Sequence, residues 1–216
     1  NGIGNRMLLY MRKNIGNLVL SAEWRPVVAI GKFVIAWAPF FLLMGNGLQG
    51  ILTPIRANIE GFSAMAIGIL GSAYFAGFVA GCLVFPHVVK RVGHIRSFAV
   101  LAAIASATIL IQSLFLNLVV WGILRIAMGF CFAGLFMVIE SWLNDKTNNE
   151  TRGRVLSLYT TINLTVVTLG QLMVNWSSPS GTTLFILVSI LLSIPILPIA
   201  LTESMAPSPI LEVRLR

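Results

Sequence analysis

Between Phe33 and Leu201 the chain consists of six apolar blocks of membrane-spanning length, and nearly every Lys and Arg falls in alternate gaps between them. A bilayer core needs about 20 apolar residues per helix, and each backbone amide inside it must be hydrogen-bonded within its own segment. Six such blocks predict an all-α membrane protein with six transmembrane helices, near residues 33–52, 62–85, 98–116, 119–142, 155–176 and 182–201. Composition agrees, because 57% hydrophobic and 10% charged residues leave too little polar surface to coat a water-soluble domain. The chain is thus expected to divide into a cytoplasmic or interfacial segment 1–31, a six-helix unit 32–203 and a tail 204–216.

The basic residues set the expected orientation. Arg6, Arg12, Lys13, Arg25 and Lys32 precede the first block; Lys90, Arg91 and Arg96 follow the second; Lys146, Arg152 and Arg154 follow the fourth; Arg214 and Arg216 close the chain. Only Arg56, expected as a surface residue in the first connection, and Arg125, inside the fourth block, depart from the pattern. Basic flanks resist translocation, so both termini are expected in the cytoplasm, with the lipid bilayer as the principal partner. Topology and anionic lipid then account for the net charge of +8 without nucleic acid. The first block is too long for a signal h-region and no small-residue cleavage site follows it, so a retained helix is expected. Residues 1–26 are too interrupted to span and are expected on the lipid surface. Because the chain starts without Met, it reads as a fragment or as one with an upstream extension.

Several chemistries are not expected. Cys82 and Cys131 fall inside predicted helices as small buried apolar residues, and His87 and His94 have no ligand-spaced partners, so no metal is expected. The N-x-[ST] matches at Asn149, Asn163 and Asn175 fall in the cytoplasm, in a helix and at a membrane edge, and carry no weight. There is no P-loop, and no carboxylate pair or Ser/His set at membrane depth. Neither ATP-driven transport, an intramembrane enzyme nor a cofactor is therefore expected.

Polar residues inside apolar blocks mark candidate positions for a pathway, because an amide or charge at membrane depth needs a partner or water. Asn46 and Gln49 are three apart in the first block and share a face, among Gly45, Gly47 and Gly50. Tyr159, Asn163 and Gln171 recur in the fifth with Thr160, Thr161, Thr165 and Thr168, as in a water-filled cavity or an interhelical seam. Gln112 is a lone candidate in the third. Arg125 lies about 9 Å inside the outer end of the fourth helix by helical rise, and Glu140 near its inner end is within reach of the basic loop for an ion pair. Gly77-x-x-x-Gly81 suits close helix approach, and Pro195 and Pro198 are expected to bend the sixth helix.

Taken together, "MGNGLQG" (Met44–Gly50), "KRVGHIRSF" (Lys90–Phe98), "RIAMG" (Arg125–Gly129), "ESWLND" (Glu140–Asp145) and "TRGRVLSLY" (Thr151–Tyr159) resemble the N-terminal six-helix half of a bacterial major facilitator superfamily transporter. The branch most similar is sugar-transporter-like or of unknown substrate, and the resemblance runs from about Lys32 to Glu203. It implies two inverted three-helix repeats, an inner-membrane location, and a second six-helix half as partner, with the chain ending in the central linker. It also implies secondary transport of a small polar solute by alternating access, with a coupling ion of which a proton is one candidate. Asn46, Gln49, Gln112, Arg125, Asn163 and Gln171 would form the substrate wall, Arg125 matching an arginine used in coupling. Arg91, Gly93, Arg96 and Glu140 would form a cytoplasmic gate. The family's loop aspartate is replaced by Lys90 and its leading glycine by Pro86, so a latch depending on that acid is rewired or absent. The fifth block has "TLGQLMV" (Thr168–Val174) where drug/proton antiporters have a Gly-Pro-rich signature. The competing expectation is a non-transporting membrane module: a receptor, an assembly factor or an inactive truncated product.

Overall fold

The computed structural model describes residues 25–145 and 152–197, with side chains over 39–144 and 153–197. Expectations for residues 1–24, for Lys146 and Asn149, and for the tail beyond 197 with Pro198 lie outside the described residues. Those described contain six helices and no strand: α1 (Arg25–Ile59), α2 (Ala64–Val92), α3 (His94–Leu114), α4 (Leu118–Asp145), α5 (Arg152–Leu172), which runs on into a 3₁₀ turn (Met173–Trp176), and α6 (Thr183–Ser193).

Helix ends are set by local chemistry, and they move several expected boundaries. Ser63 caps α2, its hydroxyl accepting from the Ala66 amide at 3.2 Å. Asn117 caps α4 in the same way, its Oδ1 accepting from Val119 and Val120 at 2.9 and 3.2 Å. Between α2 and α3 the connection shrinks to one residue, Gly93, at φ +91°, where a side chain would be strained. Lys90 and Arg91 therefore lie in the last turn of α2 rather than in a loop, and residues 25–31 belong to α1. Arg56 likewise sits in the last turn of α1. α6 runs unbroken for 11 residues, to Ser193, turns at Ile194–Pro195, where the proline removes a donor and crowds the carbonyl one turn back, and is helical again at Ile196–Leu197, the last residues described.

Ala64–Val92, His94–Leu114, Leu118–Asn144 and Gly153–Trp176 are long and apolar enough to cross a membrane, so four of the six expected spans meet that condition among the described residues. The unbroken stretch of α6, Thr183–Ser193, is shorter than that, rising roughly 16 Å before the turn at Pro195. In α1 the apolar run before Pro39 lies among residues whose side chains are not described, and the remainder carries Asn46, Gln49, Thr53 and Arg56. The outward faces are strongly apolar, with Val79, Leu83 and Ile123 exposed, as befits side chains facing lipid. Cys82 is also exposed, contrary to expectation, whereas Cys131 is buried.

Two close crossings hold the bundle. α2 packs along α4, where Gly77 faces the Ile126 carbonyl and Gly129 faces the Tyr74 carbonyl. α1 packs along α5, where Gly47 faces the Val167 carbonyl and Gly170 faces the Met44 carbonyl. Each crossing thus pairs a glycine on either helix with backbone on the other, which brings the axes closer than any side chain permits. α3 packs on α4 and α6, and α6 packs on α1. Exchanging α1 with α4, α2 with α5 and α3 with α6 carries this set of main pairings onto itself. Leu48, Leu52, Phe98, Ile109, Phe132 and Phe185 fill the centre.

Candidate functional site

Where α1 and α5 face α2 and α4, a cavity of about 350 Å³ opens, lined by Asn46, Gln49, Thr53, Tyr74, Arg125 and Gln171 together with glycines and apolar side chains. Its centre is Arg125, only 7% exposed. Nη1 donates to Gln49 Oε1 at 2.6 Å, Nε donates to the Leu70 carbonyl at 3.5 Å, and Cζ lies 4.7 Å from the centroid of the Tyr74 ring. Three helices therefore position one guanidinium. The Gly129–Tyr74 crossing brings α2 against α4 one turn beyond Arg125, which sets the Tyr74 ring under the cation.

Behind Gln49 the polar chain continues. Thr53 Oγ1 donates to the Gln49 backbone carbonyl at 3.0 Å, and Gln112 Nε2 approaches Thr53 Oγ1 at 3.4 Å. Gln112 is fully buried, and its Oε1 has no hydrogen-bond partner among the described residues. It braces α1 from α3 and does not line the cavity.

Of the six expected wall residues, Asn46, Gln49, Arg125 and Gln171 come together at the cavity, and Gln112 joins through Thr53. Asn163 does not line it. It lies eight residues from Gln171, roughly 12 Å along α5 and 80° around it, too far to share one small cavity. The α5 threonines need neither water nor a neighbouring helix. Thr160, Thr161, Thr165 and Thr168 each donate to the carbonyl four residues back, at 3.0, 3.0, 2.8 and 2.8 Å. Sequence reasoning missed Tyr74, Thr53 and the Leu70 carbonyl.

At the basic end, Arg91, Arg96 and Glu140 are exposed, and Gly93 makes the α2–α3 turn. The expected ion pair between Glu140 and this turn is not formed: among the described residues the one ion pair is Arg56–Glu60, at 2.8 Å. The contact there is instead His94 Nε2 with Ser141 Oγ at 3.0 Å, supported by Phe98 stacked on Trp142 at 5.8 Å. Water solvates the exposed charges well enough that no pair is required. At the opposite end Arg56 is not the free surface residue expected. Its side chain is 11% exposed, and Nη1 donates to the Pro179 and Gly181 carbonyls at 3.2 and 3.5 Å, tying α1 to the α5–α6 connection.

No family model matches the chain, and no solved structure matches it. Curated relatives do: the uncharacterized MFS-type transporter YcaD of Escherichia coli O45:K1 (strain S88 / ExPEC), of strain UTI89 and of O157:H7 (strain EC4115) are each 30% identical over 156 residues, 72% of this chain and 40% of theirs. The chain thus matches about two fifths of the length of those relatives. That homology and the apolar helices mark an integral membrane protein related to major facilitator transporters.

Proposed function

We propose that this chain, homologous to MFS-type transporters and built around a buried cation at a cavity, forms the N-terminal half of a secondary transporter that moves a small polar solute by alternating access. The observation carrying this reading is Arg125. A guanidinium inside a membrane-spanning helix is costly unless it does work, and here it is held at a cavity by groups from α1 and α2. Asn46, Gln49 and Gln171 are the neutral donors and acceptors of the same wall, Gln112 braces it, and Asn163 lies further along α5. The self-consistent exchange of α1–α3 with α4–α6 supports two inverted repeats. A second six-helix half would supply the facing wall and any coupling ion, such as a proton.

In this reading the end carrying Lys90, Arg91 and Arg96 is cytoplasmic, the membrane is the bacterial inner membrane, and Arg91, Gly93, Arg96 and Glu140 form the gate. The His94–Ser141 contact supports the gate because it seats the α2–α3 turn beside Glu140. The reading assigns the chain translocation and no enzymatic reaction. Uptake of its solute by cells producing the intact gene product should fall at least tenfold in Arg125→Ala at equal membrane abundance. Uptake unchanged in that variant would remove Arg125 from the mechanism.

A further inference from the structure

Arg125 is the one charged residue lining the cavity, and among the described residues no carboxylate balances it. Its neighbours are dipoles and a ring: the Gln49 amide oxygen, the Leu70 carbonyl and Tyr74. The acidic side chains described lie elsewhere, Glu60 on Arg56 at one end and Glu140 exposed at the other. Dipoles lessen the cost of removing a guanidinium from water, but among the described residues they leave its unit charge uncancelled, and arginine does not escape by losing its proton. The guanidinium lines the cavity wall. A cation and a donor are therefore presented to the cavity together.

We infer that the cavity takes its solute as a singly charged organic anion, a carboxylate seated on Arg125, with Asn46 and Gln171 meeting the neutral polar groups of the same molecule. This rests on the transport reading above and narrows it. A planar carboxylate matches the guanidinium fork and closes the charge balance. A phosphate monoester carries about −1.5 to −2 near neutral pH and would leave excess charge against a single cation. A cationic solute is opposed by like-charge repulsion from the same guanidinium. A neutral sugar can use the amides but leaves Arg125 unbalanced.

Binding is tested apart from flux. The intact gene product in detergent is titrated at constant ionic strength with C2–C6 monocarboxylates and their uncharged counterparts, lactate against propane-1,2-diol and gluconate against glucose, with glucose 6-phosphate as the dianion. Thermal stability and tryptophan fluorescence are read. At least one carboxylate should bind with its neutral counterpart ten or more times weaker. Arg125→Gln should weaken that carboxylate at least tenfold, and Arg125→Lys, which keeps the charge but loses the fork, by less. The wild-type comparison stands even if a variant fails to fold. Equal binding of a neutral counterpart, tighter binding of the phosphate ester, or no binding by any carboxylate overturns the inference. Flux in proteoliposomes separates the two readings. Arg125-dependent flux of a neutral solute keeps transport and sinks the anion, whereas a bound carboxylate that is never carried keeps the anion and sinks transport.

Discussion

Gln49 shows what the Arg125 site is arranged to avoid. Its Oε1 accepts from Nη1 at 2.6 Å, so Gln49→Glu would put a carboxylate where only a dipole now stands. The guanidinium would then be paired inside the protein, and the cavity would lose its net positive charge. We predict that Gln49→Glu unfolds at a higher temperature than wild type while its affinity for the carboxylate falls at least tenfold, about 1.4 kcal/mol or more. Thermal unfolding and titration on the same preparation check this. Unchanged affinity in Gln49→Glu would show that the charge of Arg125 is not what the solute meets. Arg125 and Gln49 are legible in the sequence because each interrupts an apolar block, where polarity needs a reason. Tyr74 is not, because its ring is as welcome in lipid as a phenylalanine's and only the α2–α4 crossing reveals the cation above it. Asn163 misleads for the opposite cause: its polarity stands out, but it lies too far along α5 to join the cavity. Arg56 is misleading in another way, since its carbonyl partners at Pro179 and Gly181 are more than a hundred residues away and no local pattern announces them.

Helix pairs are where glycine matters. A Cβ on Gly129 would run into the Tyr74 carbonyl oxygen, which is backbone and yields only if α2 moves away from α4. A Cβ on Gly68, one of the earlier glycines on α2, would meet nothing within 4 Å. Gly129→Ala should therefore lower the unfolding temperature, with overpacking costing about 1–3 kcal/mol, and weaken carboxylate binding by shifting Tyr74. Gly68→Ala should leave both unchanged or slightly raise stability, because it removes backbone freedom from an exposed helical position. Both variants are compared by thermal unfolding and ligand titration, and equal behaviour of the two would contradict the crossing. At this scale Gly77 and Gly81 are readable from their spacing, whereas Gly129 and Gly170 are readable only once their partners are known. Helix type and approximate position follow from apolar length. The ends do not: α2 runs on through its basic last turn because long Lys and Arg side chains reach water from there, and α6 is broken by a turn at Ile194–Pro195 within its apolar run.

The proposed alternating access would make the basic end a whole-molecule question, because opening there would have to follow closing elsewhere. Glu140 is exposed and unpaired with Arg91 or Arg96 in this conformation, yet His94 and Ser141, the neighbours of those charges in sequence, already touch at 3.0 Å. The gate reading requires a second conformation in which Glu140 pairs with one of these arginines. An exposed pair contributes about 1 kcal/mol at most, which bounds the effect on the equilibrium between conformations to about fivefold. A single cysteine in place of Gln171, at the cavity wall, reports that equilibrium once Cys82 and Cys131 are replaced by Ser and Ala. With inside-out vesicles and an impermeant maleimide, Glu140→Lys should raise the labelling rate of this reporter up to about fivefold. Adding Arg96→Glu, which restores opposite signs, should bring the rate back. A rate unmoved by Glu140→Lys removes that residue from the gate, and a raised rate that Arg96→Glu fails to reverse moves its partner to Arg91 or to the second half. High salt, which screens exposed charges, should shrink the difference between Glu140→Lys and wild type, whereas a packing effect of the longer lysine would persist.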